Sequence, residues 1–241
     1  MALPNLLDRL LIWLDARRVR GRGDPEHHQL AGLISPGQIA LDVGANHGVY
    51  TYSLMLCGAR VHAIEPNPLL AKRLRGAALR GVTVHEAAVG AAPGQAQLFV
   101  PRHRKGYQDD PAGRLTNEAG DGWRFPVDII TIDSLGLSPV AFLKIDVEGY
   151  EDLALKGGWA TIARDRPTVL IELEDARQPG CRQDIIGRFT DIGYSAWYFD
   201  QGDWREEAAL GANQRTANGR YINNFLLTPG PEKPPASARP A

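Results

Sequence analysis

Three groups of residues in this chain have the types and spacing for chemistry. The first is Asp42-Val43-Gly44-Ala45-Asn46-His47-Gly48, a D-x-G-x-x-x-G turn behind the apolar run Ile39 to Leu41. Glycine in such a turn lets a ligand approach the backbone, because it carries no Cβ. The spacing departs from the G-x-G-x-x-G of a pyrophosphate turn. Asp42 instead places a carboxylate toward the turn, which suits a cationic ligand. The second group is Glu65-Pro66-Asn67-Pro68. An acid at the tip of the second strand of an α/β unit is placed to accept from ribose hydroxyls. The third runs from Lys144 to Glu151, K-I-D-V-E-G-Y-E. Asp146 ends an apolar run at the point where open α/β sheets hold ligands, and a carboxylate there is a candidate general base. Lys144 lies two residues earlier and points to the same side of the strand. It is placed to hold an acceptor oxygen, to set the charge of Asp146, or simply to pair with Glu148. Glu148 and Glu172 are the alternative bases.

The elements that position these groups follow from periodicity. Ile39 to Val43 reads as a buried strand, and Val49, Tyr52 and Leu56 continue at helical spacing. Val61 to Ile64 is the second strand. Asn67 caps a helix with Pro68 at its first position, and Gly81 ends it. Val82–His85, Val140–Ile145 and Thr168–Leu173 are further strands, and Asp184–Ile192 a helix. Ser195–Phe199 and Tyr221–Leu227 complete the set as a closing hairpin. Gln95–Val100 and Phe125–Ile132 alternate like half-exposed strands. Between them lies Pro101 to Arg124, a long loop carrying Arg102, Arg104, Lys105, Tyr107, Arg114, Trp123 and Arg124. Loops of this length are usually functional or disordered.

With D-V-G-A-N-H-G-V-Y-T from Asp42, A-I-E-P-N-P from Ala63 and K-I-D-V-E-G-Y-E from Lys144 in order, the chain resembles the FkbM family of S-adenosylmethionine-dependent methyltransferases. The weaker A-A-V-G from Ala87 and I-T-I-D-S-L from Ile130 fit the same order, and the resemblance runs from about Pro36 to Leu227. It implies a class I methyltransferase fold of α/β type. That fold has a mostly parallel seven-stranded sheet with an antiparallel C-terminal strand, helices on both faces, and an antiparallel insertion before the fourth core strand. It implies that S-adenosyl-L-methionine is held by Asp42, Gly44, Ala45, Asn46, Gly48, Tyr50 and Thr51, by Glu65 and Pro66, and by Glu86 and Ala88 near the adenine. It implies O-methylation in most cases and no single substrate. Family members often carry small residues and serine in the insertion loop. Gly113-Arg114-Leu115-Thr116 stands there instead, so acceptor contacts do not carry over.

Composition narrows the classes. The 241 residues suffice for one large domain, and a net charge of -1 argues against a general nucleic-acid binder. Two cysteines give neither a disulfide framework nor metal-ligand spacing. No apolar run approaches the ~20 residues of a membrane span, and the expected location is cytoplasmic. Residues 1–35 read as an N-terminal helical segment, 36–228 as the methyltransferase domain and 229–241 as a disordered proline-rich tail. The first helix is expected over residues 3–18, with Arg17, Arg18, Arg20 and Arg22 at and beyond its end. The favoured reading packs it on the domain, and the alternative lays it on a membrane surface. Carboxylates at adjacent strand tips suit magnesium, but no Asp-Asp or Asp-Asn pair follows the fifth strand, so a metal is not favoured. The cationic loop points to a hydroxylated acceptor such as a sugar or glycoconjugate bearing an anionic group. Two other classes stay open: an NAD-dependent oxidoreductase, since Glu65 suits its ribose too, and a non-catalytic scaffold of the same fold.

Overall fold

The computed structural model describes residues 5–22, 25–101, 113–115 and 120–236. In chain order the strands are β1 (Ile39–Val43), β2 (Arg60–Ile64), β3 (Val82–His85), β4 (Ala88–Val89), β5 (Gly94–Pro101), β6 (Arg114–Leu115), β7 (Gly122–Ile130), β8 (Val140–Ile145), β9 (Thr168–Glu172), β10 (Tyr194–Asp200), β11 (Asp203–Glu206) and β12 (Asn224–Pro229). The α-helices are α1 (Leu6–Arg22), α2 (Leu30–Leu33), α3 (Val49–Leu56), α4 (Pro68–Gly76), α5 (Glu151–Lys156), α6 (Trp159–Asp165) and α7 (Cys181–Asp191).

The main sheet runs β11-β10-β12-β9-β8-β1-β2-β3. β12 is antiparallel to both neighbours, while β9, β8, β1, β2 and β3 pair in parallel. Successive side chains leave a strand on opposite faces, and the core divides accordingly. Leu41, Val43, Leu143, Ile145, Val169 and Ile171 pack with Leu155, Ile162, Ile185 and Phe189 of α5–α7. Ala40, Phe142 and Leu170 pack on the other face with Leu30 and Leu54. Every residue of β1 is buried, as expected for a strand covered on both sides.

An eighth strand, β11, extends the seven expected. Asp200 pairs with Asp203 across Gln201 and Gly202, both with positive φ, which is the two-residue turn that matches strand twist. Trp204 is fully buried and meets the Phe199 ring edge-on at 5.0 Å.

The insertion forms its own sheet, β4-β7-β5-β6, with β5 and β7 antiparallel along their length. α1 lies on α3 and α4 through fully buried Ile12 and a hydrogen bond from Asn5 N to Gly76 O at 2.8 Å. It reaches Arg22, four residues past its expected end, so Arg17, Arg18, Arg20 and Arg22 fall within the helix. In the proline-rich tail Lys233 bonds Asp203 at 2.6 Å, and residues 237–241 lie outside the described residues. Among the described residues no helix is long and apolar enough to cross a membrane.

Candidate active site

The chain reverses direction across the sheet at β1, which has β2 on one side and β8 on the other. A cavity opens at the C-terminal ends of these strands, where such a reversal leaves a crevice. It encloses roughly 700 Å³ of space, its open mouth included. Gly44, Asn46, Glu65 and Pro66 line one side, Ala87 to Val89 the back, Leu98 and Leu115 of the insertion a wall, and Asp146 and Glu148 the other side.

Gly44 has φ +80°, and a Cβ there would lie 1.8 Å from the Asp146 carbonyl oxygen. Its missing side chain therefore lets the β1 turn abut the tip of β8, rather than only admitting a ligand. A Cβ on Gly48 would meet Leu74 of α4 at 2.4 Å, so that glycine makes room for helix packing.

Glu65 is buried, and each carboxylate oxygen accepts from a backbone amide, Asn46 N at 2.7 Å and Asn67 N at 2.8 Å. Burial outweighs these two donors and pushes its pKa up to about 7. Asn46, with φ +50°, also lines the cavity, and its Oδ1 is buried with no hydrogen-bond partner among the described residues. A buried acceptor left in this state is costly unless a ligand donor completes it.

Several residues expected at the cofactor do not line the cavity. Asp42 is wholly buried beneath the cavity, where it accepts from Thr51 Oγ1 at 2.6 Å and stands beside Lys144. Burial raises its pKa. The Asp42 carboxylate therefore faces Thr51 and Lys144 rather than the cavity. Ala45, Gly48, Tyr50 and Thr51 do not line the cavity either. The Tyr50 ring instead packs on the Lys144 ammonium at 4.6 Å. Glu86 pairs with Arg75 at the surface, so the adjacent Ala87 and Ala88 reach the cavity and Glu86 does not. His47 meets Arg73 Nη1 at 2.8 Å.

The motif from Lys144 forms a charged cluster. Lys144 is 2% exposed and donates from Nζ to Asp146 Oδ2 at 2.9 Å. Burial opposes its charge, but Asp146 and Asp42 more than offset that and hold its pKa above the ordinary value. Burial likewise acts against the Asp146 carboxylate, yet Lys144 and a hydrogen bond with Glu172 hold its pKa below the usual range. Burial, that shared hydrogen bond and the Asp146 charge push Glu172 up to about 9. Asp146 and Glu172 thus share one hydrogen bond, with the Asp146 pKa held down and the Glu172 pKa pushed up. Asp146 reaches the cavity; Lys144 and Glu172 stand behind it. Glu148 pairs with Arg177, so the pairing of Lys144 with Glu148 is not formed.

Sequence reasoning missed two contributors. Asn223 Nδ2 donates to Glu172 Oε1, which leaves the other oxygen of Glu172 for Asp146. Tyr150 donates from its hydroxyl to Leu115 O and ties the motif to the insertion wall. Asn223 carries no local signal, because the contact spans 51 positions. Of the cationic loop, Arg102, Arg104, Lys105 and Tyr107 lie outside the described residues, as does the side chain of Arg114. Arg124 stacks on Phe99 at 4.9 Å. Among the described residues no group of three or more His, Cys, Asp or Glu is arranged to hold a metal ion.

A doubly wound sheet closed by an antiparallel strand, with its cavity at the tip of the first strand, defines the class I methyltransferase fold. The methyltransferase FkbM domain matches residues 42–206, and the chain belongs to that family. Among solved structures, methyltransferase FkbM from Methylobacillus flagellatus aligns with TM-score 0.53 and 16% identity over 88% of this chain and 52% of that one. The chain thus spans about half the length of that protein, and the likeness shows the shared fold. A TehB-like S-adenosylmethionine-dependent methyltransferase from Corynebacterium glutamicum aligns over 92% of this chain and 97% of its own, with TM-score 0.45 and 13% identity. An rRNA methylase from Streptococcus thermophilus aligns over 84% and 91%, with TM-score 0.46 and 12% identity. No curated protein matches the chain.

Proposed function

We propose that this chain is an S-adenosylmethionine-dependent methyltransferase acting on a hydroxyl oxygen of a sugar, glycoconjugate or secondary metabolite. The observation that carries the reading is Asp146, a carboxyl group on the cavity wall that accepts from Lys144 Nζ at 2.9 Å and shares a hydrogen bond with Glu172. The residues opposite fit the cofactor. Glu65 offers a carboxylate with lone pairs left for a ribose diol, and Asn46 Oδ1 offers an unused acceptor. When bound, the cofactor supplies an electrophilic methyl group for in-line displacement.

The chain's own part is to position, to exclude water and to take a proton. Leu98 and Leu115 cover the cavity from the insertion side. Asp146 accepts the proton of the acceptor hydroxyl. With Lys144 beside it, the carboxylate is a weak base, so the proton leaves late, as the new C–O bond forms and the oxygen becomes acidic. Lys144 and Glu172 are positioning residues, since they act through Asp146. The cationic insertion supports an acceptor with an anionic group. No metal is needed for this chemistry, and activity should survive EDTA.

Calorimetry of the full chain with S-adenosylhomocysteine and with NAD tests the cofactor. Binding of the first and not the second supports the reading. Binding of NAD alone would replace it with an oxidoreductase, and binding of neither, with methyl transfer absent, would leave a scaffold of the same fold.

A further inference from the structure

Seven large apolar side chains are exposed among the described residues, and four of them lie on α1: Leu6 at 76%, Leu7 at 60%, Leu10 at 49% and Trp13 at 36%. Leu6, Leu10 and Trp13 recur at helical spacing and form one stripe. The opposite face of α1 is already used. Ile12 and Ala16 are buried, and Asp15 bonds Arg73 at 2.8 Å and approaches His47 at 3.5 Å. The helix is thus fixed beside the cofactor turn by one face and presents an apolar stripe to solvent with the other.

The charges on α1 say what covers that stripe. Its sequence holds Arg9, Arg17, Arg18, Arg20 and Arg22 against Asp8 and Asp15, five positive and two negative, a net of +3. The whole chain carries -1, so the remainder carries -1 minus 3, or -4. Exposed Arg9 lies beside the stripe, and exposed Arg17 continues it and stacks on Trp13 at 4.7 Å. A second copy meeting this face symmetrically would set one cationic helix against another. An anionic bilayer matches both features, since leucine and tryptophan enter the headgroup boundary while arginine meets lipid phosphate.

We infer that α1 is a peripheral docking helix for membranes rich in anionic phospholipid, with Leu6, Leu7, Leu10 and Trp13 entering the interface. This holds whatever the acceptor is.

The test is co-sedimentation of the full chain with vesicles of phosphatidylcholine alone and of phosphatidylcholine with phosphatidylglycerol. The chain should sediment with the second and not the first, and added salt should release it. Replacing Leu6, Leu10 and Trp13 together with serine should weaken binding at least tenfold while circular dichroism and melting stay unchanged, because all three are exposed. Arg9→Ala and Arg17→Ala should each weaken it roughly fivefold. Failure to sediment with the anionic vesicles overturns the inference, and so does equal binding to neutral ones. A concentration-dependent dimer that the triple-serine variant dissolves, without vesicle binding, assigns the face to a second copy instead.

Discussion

Glu65 sits near its own titration midpoint, which makes its role measurable. Its pKa stands at about 7, raised by burial against the amides of Asn46 and Asn67. A ribose diol donates to the carboxylate and lowers that pKa in the complex, so the ionised form is the one that binds. The apparent dissociation constant then scales as one plus the ratio of protonated to ionised Glu65. At pH 8 that factor is about 1.1 and at pH 6 about 11, so S-adenosylhomocysteine should bind roughly tenfold more weakly at pH 6. The ligand's own amine titrates as well, so the comparison must include Glu65→Gln. That variant leaves one backbone amide poorly matched and removes the charge, which costs about 1.5–3 kcal/mol of binding, at least tenfold. Its affinity should be low at pH 8 and lack the part of the pH slope that Glu65 supplies. Calorimetry across pH 6 to 8 reads both proteins. Identical slopes in the two, or full affinity in Glu65→Gln, would refute the assignment of Glu65 to the ribose.

The remaining expectations concern the charged cluster and the insertion. Glu65 and Glu172 have native pKa values of about 7 and about 9, above their unfolded values. The native state therefore binds more protons than the unfolded one. The stabilisation is full below the unfolded pKa and is lost as pH rises through 7 and then 9. The melting temperature should fall between pH 6 and pH 10, and Glu172→Gln, which can keep the bonds to Asn223 and Asp146, should flatten the upper part of that fall. Lys144→Met leaves Asp42 and Asp146 facing each other without their cation and should cost about 3–5 kcal/mol in denaturant unfolding. Replacing Arg102, Arg104 and Lys105 with alanine should raise the acceptor KM and flatten its salt dependence, with cofactor affinity unchanged; an unaltered KM removes the loop from acceptor binding.

What the sequence reveals is what local interactions decide. Asn67 and Pro68 start α4 as their side chains require, with Leu69 N donating to Asn67 Oδ1 at 3.0 Å. β3 and β8 occupy the residues their apolar runs mark. The turn at Gln201-Gly202 also carried a signal, because glycine at a two-residue turn favours a hairpin, and β11 follows from it. The site was less legible. Asp42 is adjacent to the turn in sequence, but its side chain leaves β1 toward Thr51 and Lys144, and only the packing of α3 and β8 decides that. Glu86 is one residue from the cavity and faces Arg75. The raised pKa of Glu172 depends on Asp146, and its placement on Asn223, contacts between the ends of β8 and β9 and the loop before β12 that no spacing encodes. The length of α1 was also hidden, since Arg20 and Arg22 read as a following segment and not as helix.

In the proposed reaction Asp146 is the group that takes the acceptor's proton. The direct measurement is transfer of a labelled methyl group from S-adenosylmethionine to an anionic hydroxylated sugar, with the native chain and with Asp146→Asn side by side. The asparagine keeps the shape and removes the base, so turnover should drop by about 10²–10⁴-fold while S-adenosylhomocysteine binds within a few-fold of the native affinity. Full turnover in Asp146→Asn, on an acceptor the native chain methylates, would contradict it.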